Sequence, residues 1–144
     1  MKVLSFLACE DVRHEIGGKV SLMGAFEGLT IDARSITSWP LVVRVAGQLR
    51  FMLEEGDKIP DEVALSIRFG GSTLIDGVAP IAVTRRDLPI AVIAPGVVAS
   101  VIGPGEFVFS FLFRYGGVPK FGPFDFSVRV EMSNFESAGK AAST

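Results

Sequence analysis

The densest run of chemically capable side chains is Glu10-Asp11-Val12-Arg13-His14-Glu15, which contains the only histidine of the chain. Carboxylates, a guanidinium and an imidazole in one run point to three chemistries: acid–base exchange, an anion patch, or a metal ligand set. In extended backbone, adjacent side chains point to opposite faces, so Glu10 and Asp11 do not share one site. One histidine cannot complete a zinc site alone, and Cys9, the only cysteine, allows neither a disulfide nor a thiolate cluster. The run therefore reads as a strand end passing into a solvated turn. Glu10, Asp11, Arg13 and His14 are kept as candidate binding positions. No catalytic residue, metal ligand or cofactor is assigned.

Other candidates fall on geometry. Cys9 and His14 are separated by about 16 Å if the chain between them is extended, out of reach for a thiol–imidazole pair. Cys9 reads as a buried, inert thiol. Gly18-Lys19 lacks the first glycine of a phosphate loop and opens a strand where that motif opens a helix. The acidic stretch Leu53–Glu62 has oxygen ligands in number but not the spacing of a calcium loop. Arg44, Arg50, Arg68 and Arg129 fall at outward strand positions, where a shared anion-binding face competes with a mixed-charge solvent face. Trp39-Pro40 reads as a plug at an open end of the fold rather than as a sugar platform.

The elements that carry these residues follow period two. Leu41, Val43, Val45, Leu49 and Phe51 share one face, opposite Arg44, Gln48 and Arg50. Val63, Leu65, Ile67 and Phe69 repeat the pattern. So do Phe107, Phe109, Phe111 and Phe113, and again Phe124, Phe126, Val128, Val130 and Met132. A helical reading would wrap charge around every face of these segments. Gly17-Gly18, Gly70-Gly71, Asp76-Gly77 and Gly116-Gly117 stand where tight turns are needed. The inward parity switches near Glu27-Gly28, which predicts either a bulge at Gly28 or the end of one strand and the start of another. Leu88–Ile102 is apolar without clear period and reads as two short strands joined at Pro95-Gly96. Asp32–Ser38 has room for one helical turn. Val3–Ala8 is apolar on both parities, so something must cover its second face.

These segments predict an all-β fold: an antiparallel β-sandwich of about eight strands with little or no helix, spanning residues 1–136, with a frayed tail at 137–144. At 144 residues and 49% apolar composition the chain can fill one core without staples. A net charge of −2 and scattered arginines argue against a nucleic-acid partner. The apolar opening is too short for a signal peptide, and no stretch is long enough for a membrane span, so the expectation is a cytoplasmic protein with no membrane partner.

The opening Leu7-Ala8-Cys9-Glu10-Asp11-Val12-Arg13, followed by Gly17-Gly18-Lys19-Val20-Ser21-Leu22-Met23-Gly24-Ala25-Phe26, resembles a family of short bacterial β-rich proteins of unknown function. The resemblance covers about the first 30 residues. Further on it is loose, resting on Gly71–Leu74 and on the Pro-Gly-Glu-Phe lead-in at Pro104–Phe107. It implies a compact β-rich domain and a bacterial source, and no activity.

The functional expectation is a non-catalytic binding or assembly module. A small-ligand binder for an anion or a carbohydrate comes second, and a carboxylate-based hydrolase third. The expected partner is a protein or a second copy, with a homodimer favoured through Val3–Ala8 or Leu88–Ile102.

Overall fold

The computed structural model describes residues 1–17, 19–26, 28–32 and 41–133. Asp32–Ser38 beyond its first residue, Trp39-Pro40 and the tail at 137–144 lie outside the described residues. Ten strands are present there: β1 (Lys2–Cys9), β2 (Asp11–His14), β3 (Val20–Met23), β4 (Leu29–Asp32), β5 (Leu41–Met52), β6 (Glu62–Phe69), β7 (Ser72–Pro80), β8 (Ile90–Val101), β9 (Gly105–Tyr115) and β10 (Val118–Ser133). The fold is all-β, as the alternation predicts. No helix among the described residues is long and apolar enough to cross a membrane.

Two sheets face each other. Sheet I has the order β1-β5-β8, and sheet II the order β4-β10-β9-β6-β7. The phenylalanine strand β9 is the centre of sheet II, and Phe107, Phe109, Phe111 and Phe113 are all fully buried. They meet Val45, Leu49 and Phe51 from sheet I in one core. Phe51 and Phe113 pack edge-on with centroids 4.8 Å apart. Each buried phenylalanine stabilises by about 1.5–3 kcal/mol, which is why this strand holds the middle of the sheet.

Several expectations are corrected. Among the described residues ten strands stand beside the expected eight or so, with a break at Glu10 between β1 and β2 and another after Met23. The parity switch near Gly28 is the second alternative: β3 ends, Phe26 makes an isolated bridge to Ala8, and β4 begins at Leu29. β4 pairs with β10 in parallel, the exception to an otherwise antiparallel set of described pairs. Asp76-Gly77 is no turn but the middle of β7, facing Ser66 and Leu65 across the ladder. Leu88–Ile102 holds one strand, β8, with an irregularity opposite Ala46, where Pro95-Gly96 inserts an extra residue. Before it Val92 and Ala94 face the core; after it Ala99 and Val101 do. The inward set changes from even to odd, which is why no single period runs through the segment.

The third piece is the β2–β3 hairpin, which lies over the outer face of sheet I. Its cover explains an otherwise odd fact. Cys9 and Ala46 are outer-face partners across the β1–β5 ladder, yet both are fully buried.

Candidate functional site

The hairpin carries the polar run. Glu10 sits at the break between β1 and β2, and its side chain lies against Gly24. Asp11 is held from two sides. Its Oδ1 accepts from the Val12 N–H at 2.9 Å, and Arg44 Nη2 donates to it from sheet I at 3.4 Å. Gly96 makes room for this pair, since a Cβ there would stand 3.0 Å from Arg44 Nε. Arg13 and His14 are exposed and lie across the ladder from Ser21 and Val20. The structure thus joins Asp11 to Arg44, a partner the sequence did not pair with it, and spreads the other positions along the hairpin. An exposed ion pair of this kind is worth about 0–1 kcal/mol and tethers the hairpin rather than performing chemistry. Among the described residues, no group of three or more His, Cys, Asp or Glu side chains is placed to hold a metal ion.

Cys9 lies beneath this hairpin. Burial pushes its thiol above the ordinary value, and the nearby Asp11 carboxylate pushes in the same direction. A thiol so placed is held in its neutral, unreactive form at neutral pH. The four outward arginines do not line up. Arg44 and Arg50 belong to sheet I, Arg68 and Arg129 to sheet II, and Arg129 spends its charge on Glu131 and Glu106.

Two clefts remain. A slot of about 190 Å³ lies where β7 and β8 meet, lined by aliphatic side chains including Val63, Ile75, Val78 and Val92. With no charged or amide side chain in it, the slot suits neither an anion nor a sugar. The opposite flank of the sandwich holds a larger cleft of about 480 Å³ between β1 and β10. Phe6 and Phe126 form its floor, stacked at 4.6 Å and 14°. Ser5, Asp125 and Ser127 stand on its rims, and Phe26 closes one end.

The chain matches no protein-family model, no curated protein and no solved structure.

The cleft exists because two strand edges flank it. Among the described residues, β1 pairs with β5 on one side only, and β4 covers β10 no further than Val130–Ser133. An uncovered edge carries unpaired N–H and C=O groups, and proteins blunt such edges with charge, proline or brevity. The edges differ in this respect. β10 carries Pro119, Lys120, Pro123 and Asp125 along its uncovered stretch, β7 carries Asp76 and Pro80, β8 carries Pro95, and β4 has four residues. β1 has a bulge at Leu4 but neither charge nor proline from Val3 to Cys9. Leu4 and Leu7 are 40% and 36% exposed on it, less than Val78 on β7 and Val98 on β8.

The pairing that β1 accepts is visible at its end, where the Phe26 N–H donates to the Ala8 carbonyl at 2.9 Å. Ala8 therefore turns its backbone groups away from β5. By the alternation of an antiparallel ladder, Phe6 does the same, and Leu4, the bulge residue, has no β5 partner. Sequence reasoning singled out the two-sided apolar character of Val3–Ala8. It could not tell which side stays open, because that depends on which strands become neighbours.

Proposed function

We propose that the chain is a non-catalytic binding module that docks an extended polypeptide segment on the free edge of β1. The observation that carries this reading is the contrast among edges: of the described edge strands, β1 alone runs from its second residue to its end, Val3 to Cys9, with neither charge nor proline and with more than four residues. Strand addition on such an edge takes affinity from main-chain hydrogen bonds and selectivity from alternate side chains. The cleft beside it, floored by Phe6 and Phe126, offers the space for those side chains. A cytoplasmic setting belongs to the same proposal, supported by a single cysteine that stays reduced under its cover.

The test is a fluorescence-anisotropy titration with a soluble extended peptide of alternating threonine and valine, at protein concentrations in the nanomolar range. Saturable binding that is lost in Leu7→Lys supports the reading. Absence of binding, or binding indifferent to Leu7→Lys, refutes it.

A further inference from the structure

We infer that the slot between β7 and β8 is a ligand site for the linear aliphatic chain of a small molecule with an uncharged head. The slot lies on the opposite flank from the β1 edge and is independent of the docking reading above.

Its origin is Gly77, which the alternation of the sequence places in a turn and the fold draws out as strand. The facing inner surfaces of a sandwich interdigitate and fill the space between them. Across the β6–β7 ladder, Ile67, Leu65 and Val63 stand opposite Ile75, Gly77 and Ala79. β6 thus keeps large side chains at all three positions, while β7 has only a hydrogen and a methyl at the last two. Among the described residues, a Cβ on Gly77 would meet nothing within 4 Å, and its φ lies outside the left-handed region. Neither a close neighbour nor the backbone requires glycine there. The irregularity of this ladder falls at Ile67/Arg68, so Gly77 marks no bulge. A glycine inside a regular strand weakens it, and one reason to keep it is the close approach of a ligand, which fits the open slot beside it.

The lining selects the chain. Val63, Leu65 and Ile75 meet Val92 of β8 around a space of about 190 Å³ without a charged or amide side chain. Apolar cavities of this kind stay dry and take up hydrocarbon, and roughly 150 Å³ holds a six-carbon ring. The slot therefore holds about six to eight carbons. Its wall follows β7 from Ile75 to Ala79, about 13 Å of strand, which suits a chain better than a ring. The mouth selects the head. β7 and β8 are the outer strands of their sheets, so among the described residues each lip offers backbone N–H and C=O groups without a ladder partner. A hydroxyl or ester can bond to these. The adjoining hollow shares Val78 with the slot and holds Asp61 and Glu62, which repel an anion. Both carboxylates already have partners, Asp61 the Gly116 N–H at 3.1 Å and Glu62 the Arg114 guanidinium at 3.8 Å, so they exert little pull on a cation.

The full chain is titrated with 1-butanol, 1-hexanol, 1-octanol and 1-decanol, and binding is read from the methyl resonances of Val63, Leu65, Ile75 and Val92. Affinity should rise about fourfold per methylene as far as 1-octanol and level off at 1-decanol, once the slot is full. Octanoate at neutral pH should bind at least about tenfold more weakly than 1-octanol. Gly77→Val and Ala79→Leu, which fill the slot from β7, should each weaken 1-octanol at least about tenfold and raise the midpoint of thermal unfolding. Unmoved methyl resonances, or affinity that climbs evenly through 1-decanol as on an open greasy surface, overturn the inference. So does 1-octanol binding that survives in a folded slot-filling variant. Octanoate binding as tightly as 1-octanol overturns the uncharged head. The alcohol series on the unaltered chain decides the matter even where a variant fails to fold.

Discussion

Phe109 carries the packing argument at the scale of single residues. It is fully buried and meets Phe6 from the other sheet with centroids 5.0 Å apart. Phe109→Ala should lower stability by about 3–5 kcal/mol in urea denaturation, and a loss under about 1 kcal/mol would contradict its central place. Gly47 and Gly96 separate two kinds of glycine. A Cβ on Gly47 would stand 2.9 Å from the Phe6 ring and 3.3 Å from Phe109, inside the packed core, so Gly47→Ala should cost about 1–3 kcal/mol. A Cβ on Gly96 meets the exposed end of Arg44, which can swing away, so Gly96→Ala should cost under about 1 kcal/mol. Equal losses in thermal melts of the two variants would show that the argument misplaces one of them. The inward phenylalanines were legible because alternation is a property of one strand. The need for glycine at 47 was not, since Phe6 reaches it across a ladder formed some 40 residues later. Cys9 should label slowly with a thiol reagent at neutral pH in the native chain and fast once unfolded; equal rates would mean the hairpin cover is open.

Elements fail to be legible where their meaning lies in docking. The β2–β3 hairpin reads in the sequence as a polar strand end followed by a glycine turn, and the polar run drew attention as a candidate site. Its visible work is to roof Cys9 and Ala46, with Asp11 tied to Arg44. β8 was obscure for a different reason: the extra residue at Pro95-Gly96 reverses the inward parity half-way along, so neither half is long enough to declare itself. The loop after β5 is fastened to the start of the chain. The Met1 amine pairs with Asp57 and Glu54, and Arg86 donates to the Glu54 and Asp57 carbonyls at 2.7 and 3.0 Å. The hydrogen bond from the Met1 amine, followed by that from the Glu54 N–H, holds the Asp57 carboxyl below its ordinary 3.8. A depressed carboxyl contributes stability above its unfolded value, and that contribution is lost as pH falls through the folded one. Burial pulls the Met1 amine down, but its bonds to Asp57 and Glu54 outweigh this and leave it above 8.0. Its contribution is present below pH 8.0 and fades as pH rises through the folded value. Asp57→Asn should therefore flatten both limbs of the stability–pH curve. Unchanged limbs in urea titrations across that range would rule the pairing out as a stabilising contact.

At the scale of the molecule, the sandwich is nearly closed along one flank, where β7 and β8 meet, and open along the other, where β1 and β10 stand apart. The open flank joins the apolar strand noticed in the sequence to an edge that no alternation pattern reveals. The free edge of β1 is the central claim, and its most direct reporter is the Phe6 amide. Residue-resolved hydrogen exchange on the full chain, without and with a strand-forming peptide, follows whether that N–H is paired. Expected is fast exchange at Phe6 in the protein alone, slowing at least about tenfold when a saturating strand-forming peptide is added, while Phe109 in the core stays protected throughout. A Phe6 amide already protected in the protein alone, or still exchanging freely with the peptide added, would contradict the free edge.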